Sequence, residues 1–168
     1  MTPTLQLKRK YVRLIIWPAL IVAALDQLSK LAVLRSLRLH ESMTVIPGFF
    51  DLVHVRNRGM AFGFMNRPGM DLGFYFLVAA SIAALILILT WCIRLKGSDP
   101  RLTFGLSLIM GGAMGNLIDR LRFGEVVDFL DLYAGRFHWP AFNVADSAIT
   151  VGTLWVALCL TLLSPAKR

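Results

Sequence analysis

The sequence predicts an all-α membrane protein, a bundle of four transmembrane helices with a small extracytoplasmic β-sheet between its first two helices. Three observations predict this fold class. Hydrophobic residues make up 57% of the 168 residues, whereas roughly 45 to 50% is usual for soluble domains. The excess lies in four runs that are long enough to cross a hydrocarbon layer of about 30 Å. Residues 45–64, between the first two runs, are instead rich in Val and Phe and contain turn residues, which is typical of short strands.

The four apolar runs define four predicted spans in one domain, residues 1–168. The first span, residues 14–34, contains one short polar stretch, and the second, residues 72–93, contains no charge. The third, residues 102–118, is near the short end of the usual length range, and the fourth covers residues 142–163. Four crossings place both termini on the same side of the membrane.

Basic residues gather in three short segments beside these spans, "KRKYVR", "RLKGSDPR" and "SPAKR". The positive-inside rule places these segments, and both termini, in the cytoplasm. The longer connections, residues 35–71 and 119–141, are therefore expected to be extracytoplasmic. This topology explains the net charge of +8 better than nucleic-acid binding does, so we expect no nucleic-acid partner. The start of the chain also resembles a cleavable secretory signal, but three further spans favour a retained first helix.

The directions of the spans bring polar residues from distant segments to one membrane face. The first and third spans run outward and the fourth runs inward, so their polar positions fall toward the extracytoplasmic side. Together with the second outer connection, these segments contribute Asp26, Lys30, Asn116, Asp119, Arg120, Asp128, Asn143 and Asp146.

Several of these polar residues have a structural interpretation. Asp26 and Lys30 are four positions apart with the acid first, the favourable order for an ion pair within a helix, so we favour a structural bridge. Arg120 either anchors the third helix at the headgroups or serves a site, and the sequence leaves both open. Gly111 and Gly115 have the spacing that lets a neighbouring helix pack closely in a membrane.

Asp128 and Asp146 are the strongest candidates for chemistry. Asp128 stands between Val127 and Phe129, an apolar setting for a charge. Asp146 lies at the start of the fourth span, where an acid favours the helix dipole, yet Asn143 can cap that helix without it. One interpretation of Asp146 is therefore capping. The other is a pair of acids in partly dry surroundings, in which one carboxyl keeps its proton.

Other chemistries have weaker signals. Ser29 and Lys30 are adjacent, and adjacent residues on a helix do not face each other, which disfavours a Ser–Lys dyad. The histidines have no metal-ligand spacing, and we expect neither a metal nor another cofactor. Cys92 and Cys159 lie in apolar runs without a CxxC partner, which predicts small buried side chains and no disulfide.

Five segments resemble, in order, the motif regions of the bacterial prolipoprotein signal peptidases, also called signal peptidases II. They are "DQLSK" (26–30), "NRGMAF" (57–62), "GGAMGNLIDR" (111–120), "VVDF" (126–129) and "FNVADSAI" (142–149). The five segments extend from the first predicted span to the last. Their number and order make the resemblance much more specific than any single motif.

The resemblance implies an aspartic endopeptidase of the bacterial cytoplasmic membrane, the inner membrane. Such enzymes remove the signal peptide from prolipoproteins after the lipobox cysteine has received a diacylglyceryl group, and they cut just before that cysteine. It implies that Asp128 and Asp146 are the catalytic pair. By motif position, the residues that bind substrate or support the pair are Asn57, Asn116, Arg120 and Asn143, and the structural polar residues are Asp26, Lys30 and Asp119.

The resemblance also sets the expected partners: prolipoproteins that carry diacylglyceryl-cysteine, and membrane lipids, with the enzyme itself a monomer. The family's extracytoplasmic sheet, described as a cradle, agrees with the strands predicted in residues 45–64. The main alternative from the residues alone is a proton-coupled transporter or small channel, because acids within membranes often carry protons. Such proteins tend to have internal repeats and broken helices, and this sequence has no repeat. A membrane scaffold that packs through Gly111 and Gly115 is a third possibility.

Overall fold

The computed structural model describes residues 3–59 and 72–161. Within these ranges, four helices are long and apolar enough to cross a membrane. In chain order the elements are α1 (Pro3–Ser36), β1 (Ser42–Ile46), β2 (Phe50–Asn57), α2 (Leu72–Leu95), α3 (Pro100–Phe123), β3 (Val126–Ala134), β4 (Phe137–His138) and α4 (Val144–Thr161). The predicted class, a four-helix membrane bundle with a small sheet, is confirmed.

The third helix is longer than the sequence predicted, because residues 119–123 continue it beyond the predicted end of the span at residue 118. It begins at a clear cap, where the Asp99 carboxylate accepts hydrogen bonds from the backbone N–H groups of Arg101 and Leu102, both at 3.0 Å. It ends at Gly124, whose positive φ of 74° and N–H bond to the Arg120 carbonyl close the last turn. The end of α3 is therefore set by Gly124 and not by the change from apolar to polar side chains.

Helix α3 is the centre of the bundle and packs against α1, α2 and α4. Small residues allow this close approach. A Cβ on Gly111 would collide with the backbone of Ala19 in α1, and one on Gly112 would collide with the backbone of Ala145 in α4. The other three helices all contact α3, and its glycines allow α1 and α4 to pack closely against it.

The half of the bundle away from the sheet has an apolar core. Its buried residues come from all four helices and are Ile15, Ala19, Cys92, Leu102, Leu106, Met110, Val156 and Cys159. Both cysteines are free and buried, as predicted. Large exposed hydrophobic side chains, such as Phe76 and Leu87 of α2 and Leu154 of α4, cover the outside of the helices. Such a surface suits contact with lipid chains.

The sheet is antiparallel with the order β1-β2-β3-β4. The prediction of a sheet confined to the connection between the first two helices was incomplete, because β3 and β4 come from the connection between α3 and α4. The first four residues of β3, Val126–Phe129, are all buried. A strand buried on both faces lacks the alternating pattern that identifies a half-exposed strand. Two of the turn residues in the predicted strand segment, Pro47 and Gly48, lie in the turn between β1 and β2.

Parts of three predictions lie outside the described residues. These are positions 60–64 of the predicted strand segment, which include the end of the "NRGMAF" motif, positions 162–163 of the fourth span, and the basic segment at the end of the chain.

Candidate active site

The polar residues predicted to converge meet at the end of the bundle that carries the sheet, which we call the sheet end. Five elements reach it: the second half of α1, the end of β2, the last turns of α3, the start of β3 and the first turn of α4. Nearly all of the predicted polar side chains are buried there, namely Asp26, Lys30, Asn116, Asp119, Asp128 and Asn143. Arg120 and Asp146 are half-buried and Asn57 is exposed.

Asp146 lies in the first turn of α4, but Asn143 is the residue that caps this helix. The Asn143 side-chain oxygen accepts the backbone N–H of Asp146 at 2.9 Å, and its carbonyl accepts the backbone N–H of Ser147 at 3.1 Å. The carboxylate of Asp146 instead accepts a hydrogen bond from Asn116 Nδ2 of α3 at 2.8 Å. Asn143, and not the Asp146 carboxylate, therefore caps α4, and the pairing of Asp146 with Asp128 stays a prediction.

Asp128 is held on β3 by two amide side chains, one for each carboxylate oxygen. Asn57 Nδ2, from the end of β2, donates to Oδ2 at 2.9 Å. Asn143 Nδ2 donates to Oδ1 at 2.7 Å. The Asn57 amide is itself oriented, because its oxygen accepts the backbone N–H of Gly59 at 2.7 Å. Asp128 is only 2% exposed, so both its position and its solvation are controlled by the protein.

Two asparagines connect the carboxylates of Asp128 and Asp146. Besides donating to Asp128, Asn143 Nδ2 lies 3.2 Å from the Asn116 side-chain oxygen, and Asn116 Nδ2 donates to Asp146. The Asn116 oxygen also accepts from Lys30 Nζ at 3.1 Å, which fixes which end of the amide faces Asp146. Amides do not titrate near neutral pH. They therefore orient the two acids without competing for a proton.

The electrostatic environment favours the protonated form of Asp128. Burial raises the pKa of its carboxyl from 3.8 to about 6, and the negative charge of Asp146 adds to the increase. Hydrogen bonds from Asn57 and Asn143 and the charge of Lys30 act in the opposite direction. Asp128 can therefore keep its proton at a higher pH than an ordinary aspartate does.

Beneath the two aspartates lies a buried ionic cluster. Lys30 Nζ is 2.8 Å from Asp26 Oδ2, which is the predicted pair within α1, and 2.8 Å from Asp119 Oδ2 of α3. Gln27 Nε2 donates to Asp119 Oδ1 at 2.8 Å. The sequence showed the first ion pair through its spacing. It gave no signal for the second, because Asp119 belongs to a different helix, and Gln27 was not among the predicted site residues.

Arg120 is placed on the same side of α3 as Asn116. Among the described residues it forms no ion pair, although its charge interacts with the charges of Asp146, Asp119 and Asp128. A half-buried guanidinium near two acids is available to an incoming carbonyl or carboxylate group. The charge of Arg120 therefore acts on the acids of the site, and its role in binding substrate stays a prediction.

A cavity of about 410 Å³ opens onto Asp128. Its lining comes from the end of β2 and from the segment before α4, and consists of Val55, Arg56, Asn57, Arg58, Asp128, Pro140 and Ala141. Of these, only Asn57 and Asp128 were predicted from sequence. The others were not predicted as site residues, although Arg58 belongs to the "NRGMAF" motif, and the fold brings them to the cavity. The cavity leaves Asp128 accessible from one side.

Comparison with known proteins gives a consistent result. The family model described as signal peptidase (SPase) II matches residues 18–162. The lipoprotein signal peptidase of Oleidesulfovibrio alaskensis is 50% identical over 142 residues, which cover 84% of this chain and 90% of that protein. The lipoprotein signal peptidase of Syntrophus aciditrophicus is 49% identical over 139 residues, which cover 82% and 86%.

The fold is also similar to solved structures of bacterial membrane enzymes. One is 31% identical with a TM-score of 0.76 and covers 91% of this chain and 92% of its own. Another is 30% identical with a TM-score of 0.77 and covers 88% and 92%.

Proposed function

The chain belongs to the signal peptidase II family, and from that premise we propose that it removes signal peptides from bacterial prolipoproteins as an aspartic endopeptidase. We place the cut just before a cysteine that carries a diacylglyceryl group. We place the enzyme in the bacterial cytoplasmic membrane as a monomer, with both termini in the cytoplasm and the site near the extracytoplasmic face. It needs no metal or other cofactor.

The observation that carries this proposal is the connection between Asp128 and Asp146. Each carboxylate accepts hydrogen bonds from asparagine amides, and the chain Asp128–Asn143–Asn116–Asp146 joins them with distances of 2.7, 3.2 and 2.8 Å. Asp128 also has a carboxyl pKa of about 6. Two oriented carboxyl groups that share a proton can act together as general acid and general base, so peptide hydrolysis can proceed without a metal.

In the proposed reaction, a water molecule is held between the two carboxyl groups. The ionised aspartate removes a proton from this water as the water oxygen attacks the scissile carbonyl carbon. The protonated aspartate donates its proton to the carbonyl oxygen, which stabilises the tetrahedral intermediate. Breakdown of the intermediate then breaks the C–N bond. The aspartate that accepted the first proton passes it to the leaving amine, and the other regains its proton from the collapsing hydroxyl group.

The location of the pair fits a lipid-anchored substrate. A diacylglyceryl group keeps its cysteine at the membrane surface, so the reacting atoms have to lie at the same depth. Asp146 stands in the first turn of a helix that can cross the membrane, and Asp128 lies on the adjoining sheet. Exposed apolar faces of the helices are suitable for the acyl chains, and the cavity beside Asp128 is suitable for the extended peptide.

The neighbouring polar residues have supporting roles in this proposal. Asn57, Asn116 and Asn143 orient the two acids through the hydrogen bonds described above. Arg120 has no carboxylate partner among the described residues and is free to bind a substrate carbonyl.

The test is mass spectrometry of a model prolipoprotein incubated with the purified protein in detergent. We expect cleavage immediately before the modified cysteine, and much slower turnover of the same precursor without the diacylglyceryl group. A detergent solution has no membrane gradient, so activity there also excludes a transporter as the explanation. No cleavage of the modified precursor would refute the proposed function, and equal turnover of both precursors would refute the argument about depth.

A further inference from the structure

Two acids of the buried ionic cluster accept hydrogen bonds from backbone N–H groups. Each of these N–H groups belongs to the residue just before Asp128 or Asp146. Asp26 Oδ1 accepts the backbone N–H of Ala145 at 2.9 Å, and Ala145 directly precedes Asp146. Asp119 Oδ2 accepts the backbone N–H of Val127 at 3.1 Å, and Val127 directly precedes Asp128. Each acid of the cluster therefore holds the residue next to one of the two aspartates proposed to be catalytic.

Lys30 connects Asp26 and Asp119, which are the two arms of the cluster. Its ammonium group lies 2.8 Å from Asp26 Oδ2 and 2.8 Å from Asp119 Oδ2. Its third contact is the side-chain oxygen of Asn116, the amide that donates to Asp146. All three N–H donors of the ammonium group thus have acceptors, and the side chain is 2% exposed.

We propose that Asp26, Lys30 and Asp119 form a clamp that sets the separation and orientation of Asp128 and Asp146, so that Lys30 is a positioning residue for peptide hydrolysis. This inference rests on the proposed function. It assigns to the three residues a role beyond the structural one that the sequence predicted.

The energetics favour positioning over simple stabilisation. Removing three charged groups from water costs several kcal/mol per ion, and well-packed apolar residues in their place are often as stable. Apolar residues cannot accept the N–H groups of Ala145 and Val127, however. The Ala145 N–H belongs to the first turn of α4 and has no partner within its own helix. The clamp therefore supplies the acceptor that locates this turn relative to α1 and α3.

The size of the expected effect follows from the sensitivity of catalysis to geometry. A misplacement of about 1 Å in a reacting group can reduce the rate about 100-fold. Loss of one arm of the clamp would allow Asp146 or Asp128 to shift by an amount of this order. The result would be slower chemistry with unchanged substrate binding, because the clamp has no place in the cavity that receives the peptide.

The test compares Asp26→Asn and Asp119→Asn with the wild type in the cleavage assay, with kcat expressed per folded molecule. Asparagine keeps the shape and one acceptor oxygen but has no charge to hold Lys30. We expect kcat to fall at least about tenfold for each variant while KM stays within about twofold. Asp131→Asn is the matched control. It removes a carboxylate of β3 that pairs with His138 at 2.8 Å and does not touch the clamp, and it should retain wild-type kcat.

A second variant, Asp119→Glu, keeps the charge and the pairing with Lys30 but lengthens the arm by one methylene group. If the clamp positions Asp128, this variant should fold and still lose kcat. Wild-type kcat in the folded variants, or a higher KM at unchanged kcat, would overturn the inference. Cleavage by the wild type and by Asp131→Asn keeps the proposed function intact in that case, whereas inactivity of both would overturn the proposed function itself.

Discussion

The two halves of the helical bundle are filled with different kinds of side chain. In the half away from the sheet, the interior consists of residues such as Leu106, Met110 and Val156 that pack without polar contacts. At the sheet end, charged and amide side chains of the same helices occupy the interior and form hydrogen bonds to one another. Apolar packing tolerates small shifts, because dispersion and burial have no strict direction. Hydrogen bonds between buried polar groups do not tolerate such shifts, since each unpaired group costs roughly 1 to 3 kcal/mol. The half away from the sheet therefore stabilises the fold, whereas the sheet end fixes the positions of its polar side chains.

The strongest test of this division is neutralisation of the two central acids. Asp128→Asn and Asp146→Asn should each reduce cleavage of the lipidated precursor on the order of 10³-fold or more, because the proposed mechanism uses these two groups as general base and general acid. Expression and membrane insertion should remain close to wild type, since the shape of each side chain is kept. Cleavage by mass spectrometry and yield in the membrane fraction are the measurements. Near-normal turnover by either variant would contradict the pairing of the acids.

A second test addresses the amide that belongs to both the helix cap and the pair. Asn143→Ala removes the cap of α4, which costs about 1 kcal/mol, and also removes the donor to Asp128. We expect kcat to fall by roughly 10- to 100-fold with a smaller change in thermal stability in detergent. Ser147→Ala is the control, because it removes a hydrogen bond to the same turn without touching either acid. If both variants lose the same activity, Asn143 acts only through the helix.

The apolar half should respond in the opposite way. Leu106 is 1% exposed in the core, and Leu106→Ala should lower the free energy of unfolding in detergent by about 2 to 5 kcal/mol. Its kcat per folded molecule should not change. Leu154→Ala, on the outside of α4 with 66% exposure, is the matched control and should have little effect on either quantity. A loss of kcat in folded Leu106→Ala would show that the two halves are not separable.

A further test is the dependence of stability on pH. The pKa of Asp128 is about 6 in the folded protein and ordinarily 3.8, so the folded state holds this proton more tightly. The stabilisation from this group is complete below pH 4 and is lost as the pH rises through about 6, by at most about 3 kcal/mol. The stability of the wild type relative to Asp128→Asn should therefore decrease between pH 4 and pH 7. Melting curves of both proteins at these pH values measure it, and parallel curves would contradict the raised pKa.

The sequence predicted the parts of this architecture that depend on long stretches of uniform chemistry. Apolar runs located all four helices, and their directions brought Asp26, Asn116 and Asp146 to one end of the bundle. The spacing of Asp26 and Lys30 predicted their ion pair, which the structure contains. In each case a local pattern carried the information.

The parts that the sequence did not reveal depend on contacts between distant segments. Strand β3 is buried at its start and has no alternating pattern, so its place in the sheet was missed. The contact of Lys30 with Asp119 joins different helices. Likewise, Pro140 and Ala141 line the cavity only because the segment before α4 folds back onto β3, where Phe142 bridges to Leu130.

The bond from the Asp26 carboxylate to the backbone of Ala145 has a consequence for biosynthesis. It joins the first and the fourth of the described helices, so α4 has to be synthesised before this acceptor can meet its donor. A nascent chain with three inserted helices contains Asp26, Lys30 and Asp119 but lacks Asp146. In the proposed mechanism, hydrolysis therefore has to wait until α4 has been synthesised and inserted.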